Sequence, residues 1–188
     1  MSNRAVWEER HSCGGSSAAE PSGIEFLPLM PRGRALDVAA GQGRNSVALA
    51  RAGIQVVAVD WSQNAAHSLA LTARKDSLQI EPVIANLEES LPFRPQSFDL
   101  VINVNFLERG LFPLLKKVLR IGGLLLCDTF LIDQAASGHP RDPRFLLAHY
   151  ELFELLSDMD LIRYREGIVD YGGEKRAWRA TALARRIA

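Results

Sequence analysis

Apolar residues in this chain fall into short runs that alternate with stretches of helical spacing. Arg34-Ala35-Leu36-Asp37-Val38 is a short apolar strand that runs into a glycine-rich turn. Arg44 to Ala52 follows as a helix, closed by Gly53. Ile54 to Asp60 is almost all apolar and β-branched, the mark of a strand covered on both faces. Ser62 stands where it caps a helix through about Lys75, with Ala65, Ala66, Leu69 and Ala73 on one side. Gln79 to Ala85 and Phe98 to Val104 read as the third and fourth strands, and Leu111 to Leu119 as a helix. The pair Gly122-Gly123 then turns the chain into a fifth strand, Leu124 to Phe130. Strands alternating with helices imply βαβ units and a parallel sheet with helices on both faces.

The C-terminal third has a different texture. Asp133 to Pro143 is polar, with two prolines and a glycine, and reads as a loop. Arg144 to Ser157 reads as one helix, its apolar side made of Phe145, Leu146, Tyr150, Leu152, Phe153 and Leu156. Asp160 to Asp170 and Lys175 to Arg185 form two strands joined through Tyr171-Gly172-Gly173-Glu174. A turn that short closes an antiparallel hairpin, since a parallel crossover needs a dozen residues or more. At the other end, a short helix over about Arg4 to Arg10 and another over Gly23 to Leu29 flank a mobile, Gly/Ser-rich loop from Ser12 to Ser22. The expectation is one domain over 1–188, with N-terminal helices and loop in 1–30 and the core in 31–188. Its class is α/β: a Rossmann-like three-layer sandwich around a seven-stranded, mostly parallel sheet with an antiparallel C-terminal strand.

Composition narrows the function more than the fold. Hydrophobic residues make up 47% of the 188, enough for a buried core. Twenty-two basic residues balance twenty-two acidic ones, whereas nucleic-acid binders carry the basic excess that phosphate neutralisation requires. A small-molecule substrate is expected, with no nucleic-acid or membrane partner, in a monomer or homodimer. Cys127, inside Leu124-Leu125-Leu126-Cys127, reads as a small buried hydrophobe; Cys13 lies in the Gly/Ser stretch. The first residues have no apolar signal core and no run reaches bilayer length, so the cytoplasm is the expected location. No pair of His or Cys has ligand spacing, so no metal site is expected.

The glycine loop Asp37-Val38-Ala39-Ala40-Gly41-Gln42-Gly43 carries the strongest chemical signal. It follows a strand and opens a helix. Gly41 and Gly43 leave room for a ligand close to the backbone, and the N–H groups opening the next helix suit a carboxylate or phosphate. About twenty residues on, Asp60 ends the second strand, where a carboxylate accepts ribose hydroxyls. A dinucleotide fold wants a third glycine where Ser46 stands, and usually further sequence for a catalytic domain. Asp37, just before the loop, orders the glycine turn or meets a cationic ligand group; the alternative is a helix cap with no ligand contact.

The stretch Leu36 to Arg51 resembles motif I of class I S-adenosylmethionine-dependent methyltransferases. More narrowly, Gly41-Gln42-Gly43-Arg44-Asn45-Ser46 resembles the bacterial tellurite-resistance methyltransferase group. The likeness extends over Trp7-Glu8-Glu9-Arg10, Asp60, Phe98-Asp99-Leu100-Val101, Gly122-Gly123 and Arg179 to Arg185. It implies S-adenosylmethionine as cofactor and S-adenosylhomocysteine as product. Asp37, Ala39, Gly41 and Gly43 would wrap the methionine part, with Asn45 inside the same motif. Asp60 would hold the ribose, Trp61 pack on the adenine, and Asn86 and Leu87 meet its edge. Asn103, Val104 and Asn105 would lie near the sulfonium and amino group. Arg10 would reach the carboxylate if the first helix closes as a lid; simple packing of that helix is the alternative. Ala39 stands where the family usually has glycine, which is tolerated if its backbone angles are ordinary, and Asn86 where it often has aspartate.

No residue stands out as a catalytic base. His139 and Arg141 lie in a loop after the fifth strand, His149 and Tyr150 fall on an apolar helix as core-edge residues, and His11 adjoins the N-terminal loop. Arg163, Arg165, Lys175, Arg176 and Arg179 read as a solvated face. Soft nucleophiles such as thiolates, selenides or reduced tellurium need no base. The expected activity is therefore methyl transfer to a small molecule. Two rivals stand beside it: a non-catalytic cofactor-sensing or partner-binding module on the same fold, and an NAD-dependent oxidoreductase.

Overall fold

The computed structural model describes residues 25–88, 90–171 and 176–188. The expected helix near Arg4, the loop at Ser12 to Ser22, Cys13, Arg10 and the Tyr171 turn from Gly172 onward lie outside them. Seven strands form one sheet: β1 (Arg34–Val38), β2 (Gln55–Asp60), β3 (Ile80–Ile84), β4 (Phe98–Val104), β5 (Leu119–Phe130), β6 (Asp160–Asp170) and β7 (Arg176–Arg185). Their order is β3-β2-β1-β4-β5-β7-β6. β7 runs antiparallel to both β5 and β6, and the other pairings are parallel. The sheet is thus the expected α/β one, with a single reversed strand inserted near one edge.

Beyond Glu25, the helices among the described residues are α1 (Arg44–Arg51), α2 (Gln63–Lys75), α3 (Phe112–Val118), α4 (Gln134–Ser137) and α5 (Glu151–Leu155). Alternate strand residues supply two cores. Leu36, Val38, Val57, Val59, Val101 and Leu125 pack towards α3 and α5. Ala35, Val56, Leu100, Ile102 and Leu126 pack towards α1 and the Phe26–Met30 segment. In α2, Ser62 accepts from the Ala65 N–H at 3.1 Å and Ala65, Ala66, Leu69 and Ala73 are buried, as the spacing implies. Cys127 is buried, which pushes its thiol far above its ordinary range.

Three expectations need correction. Of the helix over Gly23 to Leu29, Gly23 and Ile24 lie outside the described residues, Glu25 is helical, and Leu27–Leu29 tightens into a 3₁₀ turn. Gly122 and Gly123 do not separate helix from strand, because β5 already pairs at Leu119 with Phe98 and its register shifts before Leu124 meets Leu100. The glycines form that bulge: Gly122 has φ +81°, and a Cβ on Gly123 would lie 2.9 Å from the Arg120 carbonyl.

The helix over Arg144 to Ser157 is broken. Pro143–Phe145 is a 3₁₀ turn, Leu147 bridges to Leu131, Tyr150 has φ +63°, and only Glu151–Leu155 is α-helical. Arg109 explains the break. It donates to the carbonyls of Arg144 (3.3 Å) and Leu146 (3.0 Å) and pairs with Glu151 at 2.5 Å, taking acceptors that a helix would have used. His149 and Tyr150 are therefore exposed, ahead of α5, and not core-edge residues. The loop after β5 also contains α4, anchored where the buried Gln134 accepts from the Trp178 N–H at 2.9 Å.

Candidate active site

The carboxyl ends of β1, β2 and β4 meet where the strand order switches: β2 lies to one side of β1 and β4 to the other. Ligands of open α/β sheets bind in the crevice outside such a switch. The glycine loop curls there through three left-handed residues, Ala39 (φ +52°), Gly41 (φ +54°) and Gly43 (φ +78°). Two bonds set the curl: Ala40 N–H donates to the Val59 carbonyl at 3.0 Å, and Gly43 N–H to the Ala40 carbonyl at 2.9 Å. Ala39 thus lacks the ordinary backbone angles that would make it neutral, and a Cβ in this region costs about 1 kcal/mol relative to glycine.

Asp60 fastens the loop to β2. One carboxylate oxygen accepts from Gly41 N–H at 2.7 Å and the other from Ser62 N–H at 2.8 Å. Each oxygen has a second lone-pair direction, which a sugar hydroxyl fits. The same residue's carbonyl accepts from Ala85 N–H at 3.0 Å, bringing the end of β3 and Asn86 alongside. Trp61 and Asn86 are half-buried, and Asn86 Oδ1 accepts from Glu88 N–H at 3.2 Å.

Asp37 is 2% exposed, and its Oδ2 accepts from the Ser46 hydroxyl at 2.5 Å. Burial pushes its carboxyl up to about 7, opposed by the bonds from Ser46. Asp37 thus ties the end of β1 to the first turn of α1. The same bond gives Ser46 its purpose in place of a third glycine. Gly43 has a packing role besides its φ, since a Cβ there would lie 2.3 Å from a Leu69 methyl. Asn45, next in α1, is buried.

At the end of β4, Asn103 is 2% exposed and its Oδ1 has no partner among the described residues. Val104 is buried, and Asn105 stands half-buried with φ +60°. Leu87 is buried in the core cluster that also holds Val59 and Leu107.

Arg179 departs from the solvated face assigned to it. It is 2% exposed, donates to Asp128 Oδ1 and Asn105 Oδ1, both at 2.6 Å, and lies over the Phe130 ring at 4.3 Å. The signal was in β5, where a carboxylate inside an apolar run needs a buried cation. Arg165 and Arg176 are the surface residues expected, paired with Glu25 and Asp170. His149 sits between carboxylates, Nε2 at 2.8 Å from Asp133 and Nδ1 at 3.2 Å from Glu166. The Glu166 bond is the first cause of its raised pKa.

This geometry agrees with the comparisons. A methyltransferase-domain family model matches residues 35–123. The chain is 32% identical over 127 residues to a ubiquinone biosynthesis O-methyltransferase of Xanthomonas campestris pv. campestris, across 63% of this chain and 53% of that one. It therefore spans about half the length of the curated relatives it matches. Among solved structures, TehB from Haemophilus influenzae superposes with a TM-score of 0.78 at 21% identity, over 97% of this chain and 66% of that one. A Methanosarcina mazei SAM-dependent methyltransferase gives 0.73 at 19%, over 91% and 99%. Residues 35–123 are similar to the methyltransferase domain, and the fold is shared with S-adenosylmethionine-dependent methyltransferases. S-adenosylmethionine is the cofactor that this domain implies.

Proposed function

We propose that the chain transfers a methyl group from S-adenosylmethionine to a small-molecule acceptor whose nucleophile needs no protein base, such as a thiolate, a selenide or a reduced tellurium species. The observation that carries the reading is the glycine loop held by Asp60 at the switch point. Asp60 would hold the ribose, Gly41 leave room for the backbone approach, and Trp61 and Asn86 flank the adenine. The orphaned acceptor of Asn103 suits a ligand N–H donor, because a buried acceptor left unpaired is costly. When bound, the cofactor supplies an electrophilic methyl, so the acceptor's lone pair forms the new bond as the sulfur–carbon bond breaks to leave a neutral thioether. The protein's part is alignment and exclusion of water. His149 is a poor base, since both ring nitrogens face carboxylates that favour its protonated form. The similarities to TehB and to an O-methyltransferase support methyl transfer; tellurite-type acceptors fit the base-free reading, and turnover of a hydroxyl acceptor would count against that part of it.

Calorimetric titration with S-adenosylmethionine, S-adenosylhomocysteine and NAD tests the reading. Micromolar binding of the first two, lost in Asp60→Ala, is expected; binding of NAD alone would overturn it. Binding without turnover across acceptors of both classes would favour the non-catalytic module.

A further inference from the structure

A closed polar cluster sits beside the crevice, on the other side of β4 from the glycine loop. Arg179 reaches it from β7 and Asp128 from β5, across the register that pairs Asp128 with Thr181 and Val104. The guanidinium spends Nε on Asp128 Oδ1 (2.6 Å), Nη2 on the Asp128 carbonyl (3.2 Å) and Nη1 on Asn105 Oδ1 (2.6 Å). Thr181 donates to the second carboxylate oxygen at 3.1 Å, and Asn105 N–H to the Asp128 carbonyl at 2.8 Å. The cluster thus grips the first residue after β4 from backbone and side chain, in a left-handed conformation.

A buried ion pair is weak evidence for stability, because well-packed apolar residues often serve as well. What this pair does that an apolar pair does not is fix Asn105 while presenting no net charge. We infer that Arg179 is a positioning residue for the β4 side of the crevice, and that Asp128 cancels its charge so that the crevice accepts a cationic ligand centre. The inference rests on the cofactor reading above. S-adenosylmethionine and S-adenosylhomocysteine are the natural probes, since they differ by a methyl group and by the positive charge on sulfur.

The experiment measures both affinities by calorimetry in the wild type, Asp128→Asn, Asn105→Asp and Arg179→Lys, with circular dichroism confirming the fold of each. Asp128→Asn leaves the guanidinium uncompensated and should weaken the sulfonium ligand about tenfold more than the neutral one. Asn105→Asp, at a half-buried site where an αL acidic residue is tolerated, should move the ratio the other way. Arg179→Lys keeps the charge but loses the planar fork, so both affinities should fall with their ratio little changed. Ratios unchanged in the first two variants overturn the charge role, and affinities unchanged in the third overturn the positioning role. If Asp128→Asn does not fold, Asn105→Asp alone decides the charge role. A wild type that binds neither ligand sinks the cofactor reading itself, whereas normal binding with unmoved ratios sinks only this inference.

Discussion

Asp37 and Ala39 show how far a single position can be read. Asp37 was recognisable as special because an acid ends an apolar strand just before glycines, but its partner was not. Ser46 comes within reach only when β1 and α1 are packed, and their 2.5 Å bond at a buried position ties the strand to the helix. The consequence is a pH dependence. The folded carboxyl titrates near 7 against 3.8 when unfolded. Between those values the native state binds the extra proton, so this group's contribution is fully present below about pH 4 and is lost as pH rises towards 7. The span corresponds to something on the order of 4 kcal/mol. Urea unfolding from pH 4 to 8 should show that decline, and Asp37→Asn should flatten it whatever its effect on stability at any one pH. A variant with the wild-type slope would remove Asp37 as its source. Ala39 is the opposite case. The sequence shows only an alanine where glycine is usual, and the strain at φ +52° follows from the hydrogen bonds of the turn, which composition does not encode.

At the level of elements, legibility followed locality. β1, β4 and α2 were readable to the residue or nearly so, because each owes its form to its own periodicity and caps. The segment from Arg144 to Ser157 was not, because Arg109, 35 and more residues earlier in the chain, claims its carbonyls. Gly122 and Gly123 mislead for a related reason: a bulge and a turn ask for the same residue, and only the pairing of Leu119 with Phe98 tells them apart. The junction of the glycine loop with α1 and α2 depends on another contact of this kind. Gly43 is the N-cap of α1 at φ +78°, and its missing Cβ is the space into which the buried Leu69 of α2 fits. Gly43→Ala therefore meets both a left-handed penalty and overpacking, together roughly 3 kcal/mol. Chemical denaturation that shows a loss below about 1 kcal/mol would mean that α2 moves aside easily. The site would then be less rigid than its contacts imply.

For the molecule as a whole, the crevice is assembled from segments that only the fold unites: residues 37–43, 60–61 and 103–105. The alternation of strands and helices was enough to bring them to one edge of the sheet, because every parallel strand ends there. The reversed β7 delivers Arg179 to the same edge from the far end of the chain, across a separation of 74 residues from Asn105, and no local pattern announces it. A ligand that touches all of these segments has to be released before the sheet can come apart, so its binding energy adds to global stability. At a hundredfold excess over Kd that addition is about 2.7 kcal/mol. For a domain of this size each kcal/mol raises Tm by roughly 2–4 °C, so S-adenosylhomocysteine should raise Tm by roughly 5–10 °C. Asp60→Ala should lose the shift at the same ligand concentration, since it removes both the sugar acceptor and the bond that holds Gly41. A shift that survives in Asp60→Ala would place the ligand elsewhere on the protein, and a shift seen with NAD in its place would reassign the crevice to a dinucleotide.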